Sequence, residues 1–278
     1  MLWLNGELLP DNAPLAATSA LAATSAGTLV GWGVFTTIGV WNTKPFALDL
    51  HLQRLHHDAA KAQIEYSIAD ETLAQAVQQV IESNDIVRGM ARITVTQRGD
   101  GRWNNSGGSD VSVVAQLPSS TRLNDLRVAL SPFRLHCQRA TSGLKTTSYL
   151  DYQMAWMEAQ SRGFDEVILL NERDEICEGA RSNIFWVRGQ TLCTPHLSSG
   201  CLPGIARALL LKWAHEENIE TREDRFSLTD LLAADELFFS SAAVGLRPVR
   251  ELSCETTQMF SQREVSWRLQ TRWQQEVG

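Results

Sequence analysis

Gly143-Leu144-Lys145-Thr146-Thr147-Ser148-Tyr149-Leu150, the apolar run Asp165-Glu166-Val167-Ile168-Leu169-Leu170-Asn171 and the acidic-led Glu178-Gly179-Ala180-Arg181-Ser182-Asn183-Ile184-Phe185 follow one another within a short length of chain. The middle run is too short for a helix and too apolar for an exposed strand, so it reads as a buried strand that carries the chain back on itself. A lysine amine stands before it and a carboxylate after it. Two such groups, brought back by one strand, can grip opposite ends of a single planar molecule.

Outward from that stretch, the pattern mixes helices with paired strands. Met1 to Leu9 reads as a strand ended by Pro10, and the Ala-, Thr- and Ser-rich segment 16–27 as a loop. Gly33 to Trp41 is β-branched and bounded by a turn, with Phe46-Ala47-Leu48 as its hairpin partner. Leu52, Leu55, Ala59 and Ala62 recur at helical spacing from about Asp49, and Leu73, Ala76, Val77, Val80 and Ile81 mark a second helix. Ala91–Gln97 and Val111–Leu117 pair as strands around the glycine-rich loop 99–108. Residues 118–125 are polar and turn-forming, the best linker in the chain.

A second domain, 126–278, then opens with a strand at Val128–Ser131 and a helix from about Thr147 to Arg162. Strands at 166–171, 183–188 and 191–194, a helix from Ile205, a strand at 235–240 and a last helix at 261–276 complete it. Helices and antiparallel pairs segregate rather than alternate, which predicts an α+β protein of two domains: a small α/β unit at 1–117 and a larger one after the linker.

Composition narrows the classes. A length of 278 residues, 44% hydrophobic, supports a substantial core. A net charge of -7 and the lack of any basic run with interleaved aromatics exclude a general affinity for nucleic acid. No apolar run approaches the roughly 18 residues of a membrane span, and Met1-Leu2-Trp3-Leu4-Asn5-Gly6-Glu7 lacks the charged start of an export signal. Five scattered cysteines, without a C-x-x-C pair, point to a reducing cytoplasm and to no zinc site. His51, His56 and His57 share a helix, but at spacings of five and one they do not align as metal ligands.

The chemistry centres on Lys145. Desolvation favours a neutral amine, and a neutral amine condenses with an aldehyde. Glu178, if it faces the pyridine nitrogen of pyridoxal phosphate, keeps that nitrogen protonated and makes the ring an electron sink for a substrate Cα, whose proton Lys145 then shuttles. A phosphate needs its own donors. Leu202-Pro203-Gly204-Ile205-Ala206-Arg207 enters an apolar helix, so the first-turn amides of Ile205 and Ala206 point at an anion, while Arg54 offers a forked cation and Ser241 a hydroxyl.

These segments resemble the class IV aminotransferases, the fold-type IV pyridoxal phosphate enzymes that include branched-chain and D-amino acid aminotransferases and 4-amino-4-deoxychorismate lyases. The resemblance runs collinearly through W-L-N-G, G-V-F-T-T, H-L-Q-R-L, L-K-T-T-S-Y-L, E-G-A-R-S-N-I-F, L-P-G-I-A-R and S-S-A-A. It implies Lys145 as the Schiff-base lysine, Glu178 as the partner of the pyridine nitrogen, and Arg54, Ile205, Ala206 and Ser241 around the phosphate. It further implies Tyr149 near the cofactor hydroxyl, Leu192 packed on the ring, and a homodimer. Phe35, Arg102, Ala242 and Ala243 are implied to receive the substrate, an amino acid or an amino-chorismate.

The chain also departs from family patterns. Thr36 stands where many members carry glutamate, Gly39 replaces the arginine of branched-chain enzymes, and Asn104 replaces the histidine of the D-amino acid carboxylate trap. The reading is an aminotransferase, with aminodeoxychorismate lyase as the alternative.

Overall fold

The computed structural model describes residues 1–10, 23–99, 107–117 and 125–278. The expected linker at 118–125 lies almost wholly outside them, as do most of the loop at 99–108, the segment 16–22 and Arg102. The chain divides into two compact units, one of Met1–Thr121 with Leu144–Ser148, the other of Arg122–Gly143 with Tyr149–Gly278. The lysine segment thus clusters with the first unit, although in sequence it lies well beyond the expected linker.

In the first unit β1 (Leu2–Leu4), β2 (Glu7–Leu9), β3 (Gly33–Trp41), β4 (Lys44–Pro45), β5 (Arg88–Gln97) and β6 (Ser109–Gln116) form one sheet in the order β2-β1-β6-β5-β3-β4. The short α1 (Ala26–Val30) precedes β3, and α2 (Leu48–Lys61) and α3 (Asp70–Ser83) intervene between β4 and β5. Val34, Ile38, Val40, Ile93, Val95 and Val113 pack with Leu52, Leu55, Leu73, Val77 and Ile81 of the two helices, as the periodicities require.

Two local expectations differ. The partner of β3 is Lys44–Pro45 rather than Phe46–Leu48, because Ala47 turns into the left-handed region (φ 53) and α2 starts at Leu48. Ala26 and Gly27 belong to α1 rather than to a loop, since the Ser25 side chain accepts the Thr28 amide and caps a helical turn.

The second unit contains β7 (Leu126–Leu135), α4 (Leu150–Ser161), β8 (Glu166–Asn171), β9 (Ile176–Gly179), β10 (Asn183–Arg188) and β11 (Thr191–Pro195). There follow α5 (Ile205–Glu216), β12 (Glu220–Asp224), α6 (Leu228–Leu232), β13 (Glu236–Ser241), β14 (Gly245–Ser253), β15 (Thr257–Met259) and α7 (Glu264–Val277). The sheet runs β12-β11-β10-β13-β14-β7-β8-β9, with β15 on β14. β8, next to the edge strand β9, is buried along its whole length because Ile168 and Leu170 enter one core and Val167 and Leu169 another. That is why its sequence does not alternate.

No helix among the described residues is long and apolar enough to cross a membrane. The arrangement is α+β.

The start of α7 rests on one carboxylate. Glu236 is 2% exposed, and its two oxygens accept the amides of Val265 (2.8 Å) and Ser266 (2.9 Å), donors that the helix itself leaves unpaired. Glu236→Gln should lower the unfolding free energy by about 1–3 kcal/mol, since one charged acceptor is lost and an amide group is set against a backbone donor. Urea unfolding reads this directly; an unchanged midpoint would assign the helix start to packing alone.

Candidate active site

Lys145 sits on an extended segment that runs on past Thr147, where the helix was expected to start. Its carbonyl accepts the Phe35 amide (2.9 Å), Thr146 bridges antiparallel to Val34, and the Thr147 amide donates to Gly33 (2.8 Å). These bonds hold Lys145–Thr147 as extended backbone against β3, so α4 begins only at Leu150. The approach is close: a Cβ on Gly33 would meet Thr147 Oγ1 at 2.8 Å. The Lys145 amide donates to Asp58 Oδ2 of α2 (3.2 Å), and its Nζ lies 4.6 Å from the centre of the Phe35 ring. Asp58 is fully buried, and burial pushes its carboxyl up against the opposing pull of the Lys145 amide, Arg54, His57 and Lys145.

On the opposite face of β3, Thr36 Oγ1 accepts from Arg54 Nη2 (2.8 Å) and lies 2.7 Å from His51 Nδ1. The hydroxyl proton is then directed at Nδ1 of a neutral ring. His51 is fully buried, and its Nε2 finds no hydrogen-bond partner among the described residues. Burial first, then the nearby charges of Arg54 and Lys145, lower its pKa to about 3. Position 36 is therefore occupied by a hydroxyl that steadies Arg54.

In the second unit Glu178 lies in β9. It is 4% exposed; Oε1 accepts the Tyr152 hydroxyl (2.8 Å) and Oε2 the Leu202 amide (3.0 Å). Arg139 Nη2 donates in turn to the Tyr152 oxygen (2.9 Å). Burial, followed by the charge of Glu178, pushes the Tyr152 hydroxyl far up, so it remains a donor. Tyr149 stacks on Tyr152, ring centres 4.5 Å apart, and donates to the Ala180 carbonyl (3.2 Å).

Glu166 sets the following turn. Its Oε1 accepts the amides of Val167 and Ala180, its Oε2 the Ser182 hydroxyl, and burial raises its pKa. The entry to α5 is equally fixed: Asn183 Nδ2 donates to the Leu202 carbonyl (2.8 Å), and a Cβ on Gly204 would fall 2.0 Å from Asn183 Oδ1. Ile205 and Ala206 follow in the first turn. Ser241 ends β13, and Ala242 and Ala243 form the turn to β14.

The structure thus brings Lys145 and Phe35 together in the first unit, with Arg54 in the adjoining network. In the second it brings Glu178 and Tyr149 together through Tyr152. Leu192 does not fit its expected role. It lies in β11 with no exposed surface, so it has no face to pack on a ligand, whereas half-buried Leu202 gives its amide to Glu178. Sequence reasoning also missed Tyr152, Glu166, Asp58 and His51. Tyr152 alone carries a signal, three residues after Tyr149 on one helix face.

A sequence profile of the amino-transferase class IV family matches residues 33–252. The chain belongs to the class IV aminotransferase family, whose enzymes depend on pyridoxal phosphate, and it is an enzyme of that family. The aminodeoxychorismate lyase of Bacillus subtilis is 28% identical over all of this chain and 94% of its own length. The branched-chain-amino-acid aminotransferase of Escherichia coli is 30% identical over 90% of this chain and 84% of its own. The crystal structure of the branched-chain aminotransferase from Thermoproteus uzoniensis with norvaline superposes with a TM-score of 0.90 at 26% identity, covering 99% of this chain and 94% of that one. The fold is that of fold-type IV enzymes.

His51 gives a pH signature. Its folded pKa lies near 3, below the ordinary 6.5, so the unfolded chain binds the extra proton; the stability it contributes is complete above about pH 6.5 and is lost as pH falls towards 3. Between pH 6.5 and 5, before most carboxylates titrate, the parent should lose up to about 1.5 kcal/mol more than His51→Gln. Urea midpoints across that window test it; parallel slopes would exclude His51 as the source.

Proposed function

We propose that this chain is a pyridoxal phosphate enzyme that moves an amino group between an amine-bearing acid and a 2-oxo acid, with Lys145 as its catalytic residue. The observation that carries the reading is the anchoring of Lys145, whose peptide is bonded on both sides while its amine stays over Phe35. When bound, the cofactor supplies an aldehyde that takes an amine and a ring that draws electrons from the attached carbon.

The donor set fits that group. A buried carboxylate with two donors of its own, Glu178, suits a protonated ring nitrogen. The first-turn amides of Ile205 and Ala206, the Ser241 hydroxyl and the guanidinium of Arg54 suit a phosphate. Tyr149 and Leu202 would border the ring. Lys145 would hold the cofactor at rest and, once displaced, take the proton from the substrate Cα and return it.

A second reading is favoured by Thr36. Phe35-Thr36-Thr37 resembles aminodeoxychorismate lyases, and the Bacillus subtilis relative of that name aligns with the whole chain. There Lys145 would begin with the same deprotonation, and pyruvate would leave as the ring aromatises to 4-aminobenzoate.

Parent protein supplied with the cofactor should purify yellow and Lys145→Ala without the reducible adduct. Adding L- and D-amino acids singly should then convert the aldehyde absorbance to that of the amine form. Pyruvate release from aminodeoxychorismate with no conversion by any amino acid would reject transfer in favour of the lyase; a reducible adduct in Lys145→Ala would reject both.

A homodimer also belongs to this reading. Helix α4 buries Ala155 and Ala159 yet exposes Leu150, Met154 and Met157 (69, 49 and 57%), an apolar stripe at helical spacing that a second copy would cover. Light scattering after size exclusion should give a dimer for the parent and a monomer for Met154→Lys combined with Met157→Lys; a dimer in both would place the interface elsewhere.

A further inference from the structure

We propose that Asp58 is a positioning residue for Lys145, holding the lysine's peptide with one carboxylate oxygen and coupling its own charge to that of the lysine amine. That role deepens the reading above: it takes Lys145 as the reacting amine and adds the group that sets its basicity.

Helix α2 supplies the geometry. His51, Arg54 and Asp58 follow one another at spacings of three and four residues, so they share one stripe of the helix. Through that stripe α2 reaches two places. Arg54 and His51 meet Thr36 of β3, while Asp58 Oδ2 accepts the Lys145 amide at 3.2 Å.

Asp58 is fully buried, yet its Oδ1 has no hydrogen-bond partner among the described residues. Buried polar atoms normally find partners, because each one left over keeps the cost of leaving water. Anchoring one amide needs no charge, since an asparagine oxygen would accept the same proton. The acid is therefore the costlier choice at this position, and its neighbours give the reason for it.

Burial pushes the Asp58 carboxyl up, while the Lys145 amide and the charges of Arg54, His57 and Lys145 pull it down. His51, the other titratable group of the stripe, is held neutral and feels the same two cations, Arg54 and Lys145. Beyond them, the Arg92 guanidinium lies 3.7 Å from the centre of the Phe35 ring, which the Lys145 amine also approaches, at 4.6 Å. Cations so placed favour a neutral amine, and an ionised Asp58 favours a charged one. The coupling is reciprocal: the lysine charge that favours an ionised Asp58 is favoured by it in equal measure. Asp58 thus keeps the amine a base strong enough to take a proton, in a neighbourhood of cations that would otherwise weaken it.

Asp58→Asn keeps an acceptor for the Lys145 amide and removes the charge, Asp58→Ala removes both, and Asp49→Asn removes an exposed carboxylate of the same helix as a control. In cofactor-free protein, labelling of Lys145 by acetic anhydride across pH, read by peptide mass spectrometry, gives the titration of the amine. Unfolding midpoints check the fold. In a separate experiment each protein is given pyridoxal phosphate, and the adduct on Lys145 is trapped with borohydride and quantified.

We expect the labelling midpoint to fall by about one pH unit in Asp58→Asn and to stay in place in Asp49→Asn. Trapped adduct should match the parent in Asp58→Asn and fall severalfold in Asp58→Ala. A midpoint unchanged in Asp58→Asn, or shifted equally in Asp49→Asn, would overturn the coupling, and equal trapping by Asp58→Asn and Asp58→Ala would overturn the anchor. Should Asp58→Asn not fold, Lys145→Met reads the coupling from the other side. With isotope-labelled aspartate, the infrared band of a protonated buried carboxyl should persist to higher pH than in the parent, and coincident titrations would overturn the proposal. No trapped adduct in the parent would reject the functional reading, while the labelling midpoints would still decide the role of Asp58.

Discussion

The peptide of Lys145 is held from both sides, by the Phe35 amide on its carbonyl and by Asp58 on its own amide, and the position of its amine depends on that hold. A lysine side chain has several rotatable bonds, so its amine is placed only as well as its root. The root here is the edge of β3. Because successive strand residues point to opposite faces, the same strand sends Phe35 towards the lysine and Thr36 towards His51 and Arg54. One period-two pattern thus separates the side that faces the lysine from the side that braces Arg54. A one-residue slip of β3 would exchange the two roles.

The second unit solves a different problem, keeping a carboxylate buried. An isolated buried charge is costly, and Glu178 offsets this with a backbone amide and a phenol that is itself polarised by Arg139. The amide comes from Leu202, whose carbonyl is fixed by Asn183, so the turn into α5 and the orientation of Glu178 are set together. Glu166 does the same for Ala180, which accepts Tyr149. Side chains that touch no ligand fix the ones that would.

Much of this was legible in the sequence. Runs such as 166–171 and 183–188 are apolar enough to announce themselves, and Lys145, Glu178 and the entry to α5 stand in recognisable order. What was not legible has physical reasons. β12, Glu220–Asp224, is a highly charged edge strand that pairs with β11 through its backbone and a Thr191–Glu220 side-chain bond, with no apolar pattern to announce it. β14 contains Pro248 and three charged residues, so its pattern reads as a loop, although its neighbours on both sides supply the hydrogen bonds. Leu192 and Leu202 are the same residue type ten positions apart, and only the turn geometry reveals which one meets Glu178. Arg92 looks like one strand arginine among several until register sets it beside Phe35.

Local electrostatics run against the bulk charge. The chain carries a net -7, yet Lys145, Arg54 and Arg92 gather around β3, where His51 is held neutral and Asp58 is pushed towards its protonated form by burial. A glutamate at position 36 would sit within reach of Arg54 and cancel part of this field; threonine steadies the guanidinium without doing so. Buried or half-buried charges are screened far less than exposed ones, so these few groups outweigh the distant surface carboxylates. The first unit therefore gathers cations on both faces of β3, Arg54 beside Thr36 on one and Arg92 and Lys145 over Phe35 on the other.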